Sequence, residues 1–154
     1  YNPKEMLETL GGLFAIEPLQ EGKTEFSAGE LGFITSEGRW LLTLRDFGCI
    51  KEMLPSHAAS LCSLDVTMLH ELILKPLLGI DAANMARGEN LEYTRSYEEA
   101  IEKVESKQAQ CAFLLAPTQV TQIRDVSLDG EKMPQKSTYF YPKLITGLVM
   151  RELF

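Results

Sequence analysis

The sequence predicts an α+β fold: an antiparallel hairpin portion followed by β–α–β units, the strands sharing one mixed sheet with helices packed on it. Two observations carry this. Residues 31–35 and 40–45 are apolar runs around the short polar connection Ser36-Glu37-Gly38-Arg39, as a β-hairpin requires. Further on, strand-like 91–95, helical 96–107, apolar 110–116, helical 118–128 and then the strand-like Tyr-rich stretch 137–142 alternate in the rhythm of right-handed crossover units.

Taken in order, Asn2-Pro3-Lys4-Glu5 is a helix start: Asn caps, Pro suits the first helical position, and Glu favours the first turn. Met6, Leu7 and Leu10 form its apolar stripe and Gly11-Gly12 its end. Residues 13–18 read as a strand and the polar stretch 20–28 as a loop. The hairpin follows, then a short helix and a loop over 47–62, where Pro55 and small residues break any period. Leu64, Met68, Leu69 and Leu72 recur at helical spacing, with Ser63 or Asp65 as the cap and Pro76 with Gly79 as the end. Ser96-x-x-Glu99 is a capping box, Thr118 caps the last helix, and Gly130 stands just beyond it.

Composition narrows the function classes. The 154 residues are expected to form a single domain, a helix-plus-hairpin region over 1–62 and a helix and β–α–β region over 63–154. Residue 1 is Tyr, not a translation start, so the chain is expected to be a piece of a longer protein. The longest apolar run is the six residues 111–116, far short of the ~20 that cross a bilayer, so no membrane partner is expected. A net charge of −7 has the wrong sign for general attraction to nucleic acid. Three cysteines without CxxC spacing (Cys49, Cys62, Cys111) read as buried thiols in a reducing cytoplasm, and with only His57 and His70 present no zinc-site spacing occurs. The first hundred residues hold 16 acidic and 8 basic side chains. Residues 132–150 hold three lysines (Lys132, Lys136, Lys143) and no acid.

That window carries the candidate site. Between Pro134 and Pro142 lie Lys136, Ser137, Thr138, Tyr139, Phe140 and Tyr141, with Lys143 just after. Lysines supply point charge, hydroxyls supply donors, and aromatic rings stack or exclude water, so the segment is a candidate phosphate-binding edge. Tyr-Phe-Tyr is equally the composition of an ordinary β-strand, and an edge strand also uses Lys to blunt aggregation. Three further candidates lie elsewhere. Thr118 stands at a helix N-terminus beside a strand end, where anions bind. Arg124 suits bidentate phosphate contact, or is a solvent-facing charge on an amphipathic helix. His70 is a ligand-site candidate or a core-edge histidine satisfied by a hydrogen bond. No GxxxxGK[ST] or GxSxG pattern occurs, and the glutamates Glu98, Glu99, Glu102 and Glu105 read as solvated helix surface.

The run from Met133 to Val149, MPQKSTYFYPKLITGLV, resembles the C-terminal signature of the domain-of-unknown-function family ten-fifteen, whose members end close to MPxKSTYFYPKLxTGLV. Upstream, Leu64-Asp65-Val66, Leu69-His70 and Leu78-Gly79-Ile80 are similar to that family's LDVxxLHxxxLxPLLGI stretch, and Phe113-Leu114-Leu115 with Pro117-Thr118 to its FLLxPT junction. Residues 1–62 match in general layout alone. The resemblance implies a C-terminal half, since family members are about twice as long or more and carry an N-terminal DGHHR-like motif, similar to ParB-like and sulfiredoxin-like folds. That motif has no counterpart here, so any turnover depending on it is not expected of this piece. The expected role is to complete a phosphate-containing small-molecule site, within a phosphotransfer protein, through Lys136, Ser137, Thr138, Tyr139, Tyr141 and Lys143. The expected partners are the N-terminal half and the small molecule; the cofactor is left unspecified. The alternative is a non-catalytic structural or dimerisation module, in which the same aromatics dock on that half or on a second copy.

Overall fold

A computed structural model describes residues 2–88 and 90–138. Helix α1 (Pro3–Leu10) starts as its sequence requires: Asn2 accepts from the Lys4 N–H at 3.1 Å, with Pro3 in the first turn. The chain then lays down β1 (Phe14–Pro18), β2 (Glu30–Thr35) and β3 (Gly38–Leu44). Thr35 pairs with Gly38, leaving Ser36-Glu37 as a two-residue hairpin turn. With β4 (Cys111–Leu114) they form a four-stranded sheet in the order β1-β3-β2-β4.

All three strand pairings are antiparallel. The mixed sheet and the first β–α–β unit expected from the sequence are therefore not found among the described residues. Residues 91–95 form no strand, because their polar side chains serve the next helix instead. Thr94 accepts from the Ser96 N–H and donates to Glu99, while Glu92 pairs with Lys103. Helix α7 (Tyr97–Glu105) is capped by Ser96, which accepts from the Glu99 N–H at 3.1 Å. The expected strand over 137–142 lies outside the described residues except for Ser137 and Thr138.

Alternation along the strands gives the sheet two apolar faces. On one, Trp40, Phe33 and Phe113 stand in register across β3, β2 and β4; the Phe33 and Phe113 rings stack with centroids 5.0 Å apart. This face packs with Met6, Leu10, Ile50, Met68, Leu72 and Ile73 into the main core. On the other, Ile34 and Leu114 meet Val104, Ile101 and Tyr97 of α7, with Phe26 from the loop after β1. Between β3 and α7 come α2 (Gly48–Met53), α3 (Ala59–Cys62), a helical run from Asp65 to Leu78, and α6 (Ala82–Arg87). Helix α8 (Val120–Leu128) packs through Val126 on Leu61 and Leu64.

The helical run departs most from its sequence reading. It comprises α4 (Asp65–Leu69), a π-helical segment His70–Leu74, and α5 (Lys75–Leu78). In the π segment the Lys75 N–H bonds the His70 carbonyl, five residues back. Pro76 does not stop the helix as expected. It has no N–H for the Leu72 carbonyl and its ring would crowd that carbonyl, and the wider turn before it relieves the conflict. The helix ends at Gly79, whose φ of +65° is the left-handed cap, with the Ile80 N–H closing on the Leu74 carbonyl at 2.9 Å. Neither Ser63 nor Asp65 caps the start. The N-cap is Leu64, and Asp65 turns to accept from the Gly29 N–H at 2.7 Å. Of the cysteines only Cys62 is buried, Cys49 and Cys111 being half-buried, and no disulfide joins any two of them.

Candidate functional site

The described part of the signature segment is a tight turn. Ser137 closes it, its hydroxyl donating to the Pro134 carbonyl at 2.7 Å. Lys136, at the turn's apex, has φ +59°. A non-glycine residue pays strain in that left-handed region, so the surrounding bonds must fix the conformation. One of them comes from a distant element: the Thr118 hydroxyl donates to the Ser137 carbonyl at 2.7 Å. Two candidates that lie 19 residues apart are thus brought together.

Thr118 is consequently not the helix cap that the sequence predicted. The N-cap of α8 is Gln119, whose N–H donates to the Gln122 side chain at 2.8 Å. Lys136 is exposed and Ser137 and Thr138 half-buried. Neither Lys132 nor Lys136 forms an ion pair among the described residues, so both charges are available to an anion. Arg124 does not join them: its guanidinium donates twice to Asp125 beside it, at 2.9 and 2.7 Å. Tyr139, Tyr141 and Lys143 lie outside the described residues.

The chain around the turn is pinned by contacts that the sequence reading missed. Glu131 accepts from the Ala58 N–H at 2.8 Å and meets the His57 ring at 3.2 Å. The Ala58 bond, then the His57 bond, hold its carboxyl below the usual range, with Lys51 adding to the effect. Ser60 donates to Asp129 at 2.6 Å. The start of α3 is thereby tied to the chain leaving α8. No local spacing could have revealed a pair 74 residues apart.

His70 belongs to another neighbourhood. It is 8 % exposed, its ring makes no hydrogen bond among the described residues, and it lines a cleft of about 240 Å³ with Glu71, Lys75, Ile80, Asp81 and Met85. Burial pushes its pKa below the ordinary value, against the pull of Glu71, so the ring is neutral. One turn earlier, the buried Thr67 hydroxyl is also without a partner among the described residues. Among the described residues no group of three or more His, Cys, Asp or Glu is placed to hold a metal ion. No described helix is long and apolar enough to cross a membrane.

No family model, curated protein or solved structure matches this chain.

Proposed function

We propose that the chain is a binding domain for a phosphate-containing small molecule, with the turn around Lys136, Ser137 and Thr138 as its anion-binding edge. The supporting observation is the turn itself: an unpaired lysine in a strained left-handed conformation, closed by Ser137 and tied to Thr118. Strain of this kind is retained where the surroundings over-determine it, and such positions cluster at ligand sites. In this reading Lys136 supplies the charge, Lys132 adds to the local potential, and Thr138 with Tyr139, Tyr141 and Lys143 extends the site. The same reading makes the chain the C-terminal part of a protein of the family it resembles, with any phosphotransfer chemistry supplied by the N-terminal half.

The test is thermal unfolding with and without millimolar phosphate, ADP, ATP and phosphoserine, for the wild type and Lys136→Asn. Asn removes the charge yet tolerates a positive φ. A ligand at ~100 times its Kd adds ~2.7 kcal/mol of stability. The expected result is a rise in Tm that Lys136→Asn abolishes. An equal rise in the variant, or none with any of the four, refutes the assignment.

A second reading, an interaction module, is favoured by the surface of α8. Val120 and Leu128 are each 77 % exposed, unusual for large aliphatic residues on a nine-residue helix. Sedimentation at rising concentration tests it. Self-association that Val120→Ser with Leu128→Ser removes would support a second copy as partner, and a monomer throughout would refute dimerisation.

A further inference from the structure

The cleft beside the π-helical segment has a donor-hungry chemistry of its own. Its three acceptor side chains come from different parts of one short stretch: His70 and Glu71 from the π turn, Asp81 from the chain after the Gly79 cap. His70 is more than nine-tenths buried, lines the cleft, and its ring has no hydrogen bond among the described residues. A neutral imidazole carries an acceptor nitrogen as well as a donor, and since Thr67 Oγ1 is the one buried side-chain N or O without a partner among the described residues, the His70 ring nitrogens keep access to solvent. Glu71 is engaged by Lys75 alone, at 3.2 Å, and that lysine is 60 % exposed, so the pair is of the weak, exchangeable kind. Asp81 lines the cleft while one of its oxygens caps α6 through the Asn84 N–H at 2.8 Å. Ile80 and Met85 supply apolar wall.

Two carboxylates against one displaceable ammonium, with a neutral imidazole beneath, match a cation with several N–H donors and a short carbon chain. We propose that this cleft binds the ammonium group of a small primary amine, its N–H groups donated to Glu71, Asp81 and His70, its carbon chain against Ile80 and Met85. The volume of about 240 Å³ is below that of a drug-sized pocket, which restricts the occupant to a short alkyl amine or to the end of a lysine side chain. This site is separate from the turn at Lys136 and does not depend on its assignment.

The experiment follows the two histidine rings of the full chain by NMR at pH 7.5 during titration with n-butylammonium, with His57 as the internal reference. Nα-acetyl-lysine methylamide in a parallel titration separates a lysine side chain from a free amine, by which of the two binds more tightly. Saturable movement of the His70 signals alone, at millimolar n-butylammonium, is the expected result. Glu71→Gln and Asp81→Asn keep helix and cap, and each is expected to weaken binding about tenfold, the scale of one charge-assisted hydrogen bond. Lys75→Met frees Glu71 and is expected to tighten binding. Tetramethylammonium, which has no N–H, is expected not to bind. Equal movement with tetramethylammonium, no saturable movement of His70, or unchanged affinity in both carboxylate variants would each overturn the proposal.

Discussion

Asp65 offers the sharpest test of how this fold is held. Its carboxylate accepts from the Gly29 N–H at 2.7 Å, joining the first turn of α4 to the approach to β2 across 36 residues of chain. Burial raises its pKa, the Gly29 bond opposes that, and the negative charge of Glu30 adds to it. Two substitutions separate the bond from the charge. Asp65→Ala removes the acceptor and leaves a part-buried N–H without one, which costs about 1–3 kcal/mol, or roughly 2–12 °C in Tm for a chain of this size. Asp65→Asn keeps an acceptor oxygen and removes the charge whose burial is unfavourable, so it is expected to match or exceed the wild type at pH 7.

The pH dependence gives the sign independently. Because the folded pKa lies above the ordinary 3.8, the ionised group costs folding free energy throughout neutral pH. That cost is relieved as pH falls through the folded pKa, where the native state takes up its proton before the unfolded chain does. The advantage of Asp65→Asn should therefore be largest at neutral pH and vanish in acid. Thermal unfolding between pH 3 and 8 measures it. An Asn variant less stable than the wild type at pH 7, with a gap that widens as pH rises, would refute the reasoning and show that the charge-assisted bond outweighs the burial of the charge.

Other expectations follow from single contacts. Gly29 has φ +81°, and a Cβ there would come within 2.7 Å of the Phe47 ring, so Gly29→Ala should lose about 1–3 kcal/mol, measured by urea unfolding. Lys136→Gly relieves a left-handed lysine and should gain roughly 1–2 kcal/mol in the same assay, whatever the turn binds. Glu131 has its pKa lowered by the Ala58 N–H and His57, so its contribution is present above the ordinary 4.5 and is lost as pH falls through the folded value. Glu131→Ala should remove that part of the acid dependence of Tm. His70, held neutral by burial, makes the native state reluctant to protonate, so stability should decline as pH falls below about 6.5.

The hairpin, α1 and α7 were legible because the information for each is local: alternation around a polar turn, an Asn-Pro start, a Ser-x-x-Glu cap. The segment 91–95 was misread because Leu-x-Tyr-x-Arg alternates as a strand does, while Thr94 and Glu92 are committed to helix α7. Strand direction was equally hidden. A helix between two apolar runs suggests a parallel crossover, yet β4 pairs with β2, a strand from the N-terminal hairpin, and antiparallel to it. For the candidate site, residue type singled out Lys136, Ser137 and Thr118, but their link is a hydroxyl-to-carbonyl bond that no spacing encodes. His70 was visible as a lone histidine on an apolar helix, whereas its cleft is closed by residues beyond the Gly79 cap, Ile80, Asp81 and Met85, which no helical spacing places beside it.

The π-helical widening of the helix accommodates Pro76, and a substitution can test whether the proline or the core dictates it. Pro76 denies the Leu72 carbonyl its usual donor, and the π-helical segment His70–Leu74 lies just before it. Pro76→Ala restores the N–H and permits an ordinary α-helical closure. A π segment carries one residue more than the α turn it replaces, so closing it advances the residues on one side by about 100° relative to those on the other. The apolar face of α4, with Met68 and Leu69 in the core, resists that rotation, as do Leu72 and Ile73. The competition between one added hydrogen bond, worth ~1 kcal/mol, and a misdirected core face predicts that the π segment survives. Pro76→Ala should then change Tm by a few degrees at most, and the His70 ring signals should keep their chemical shifts. A large displacement of those signals would show that proline, and not the core, dictates the widened turn.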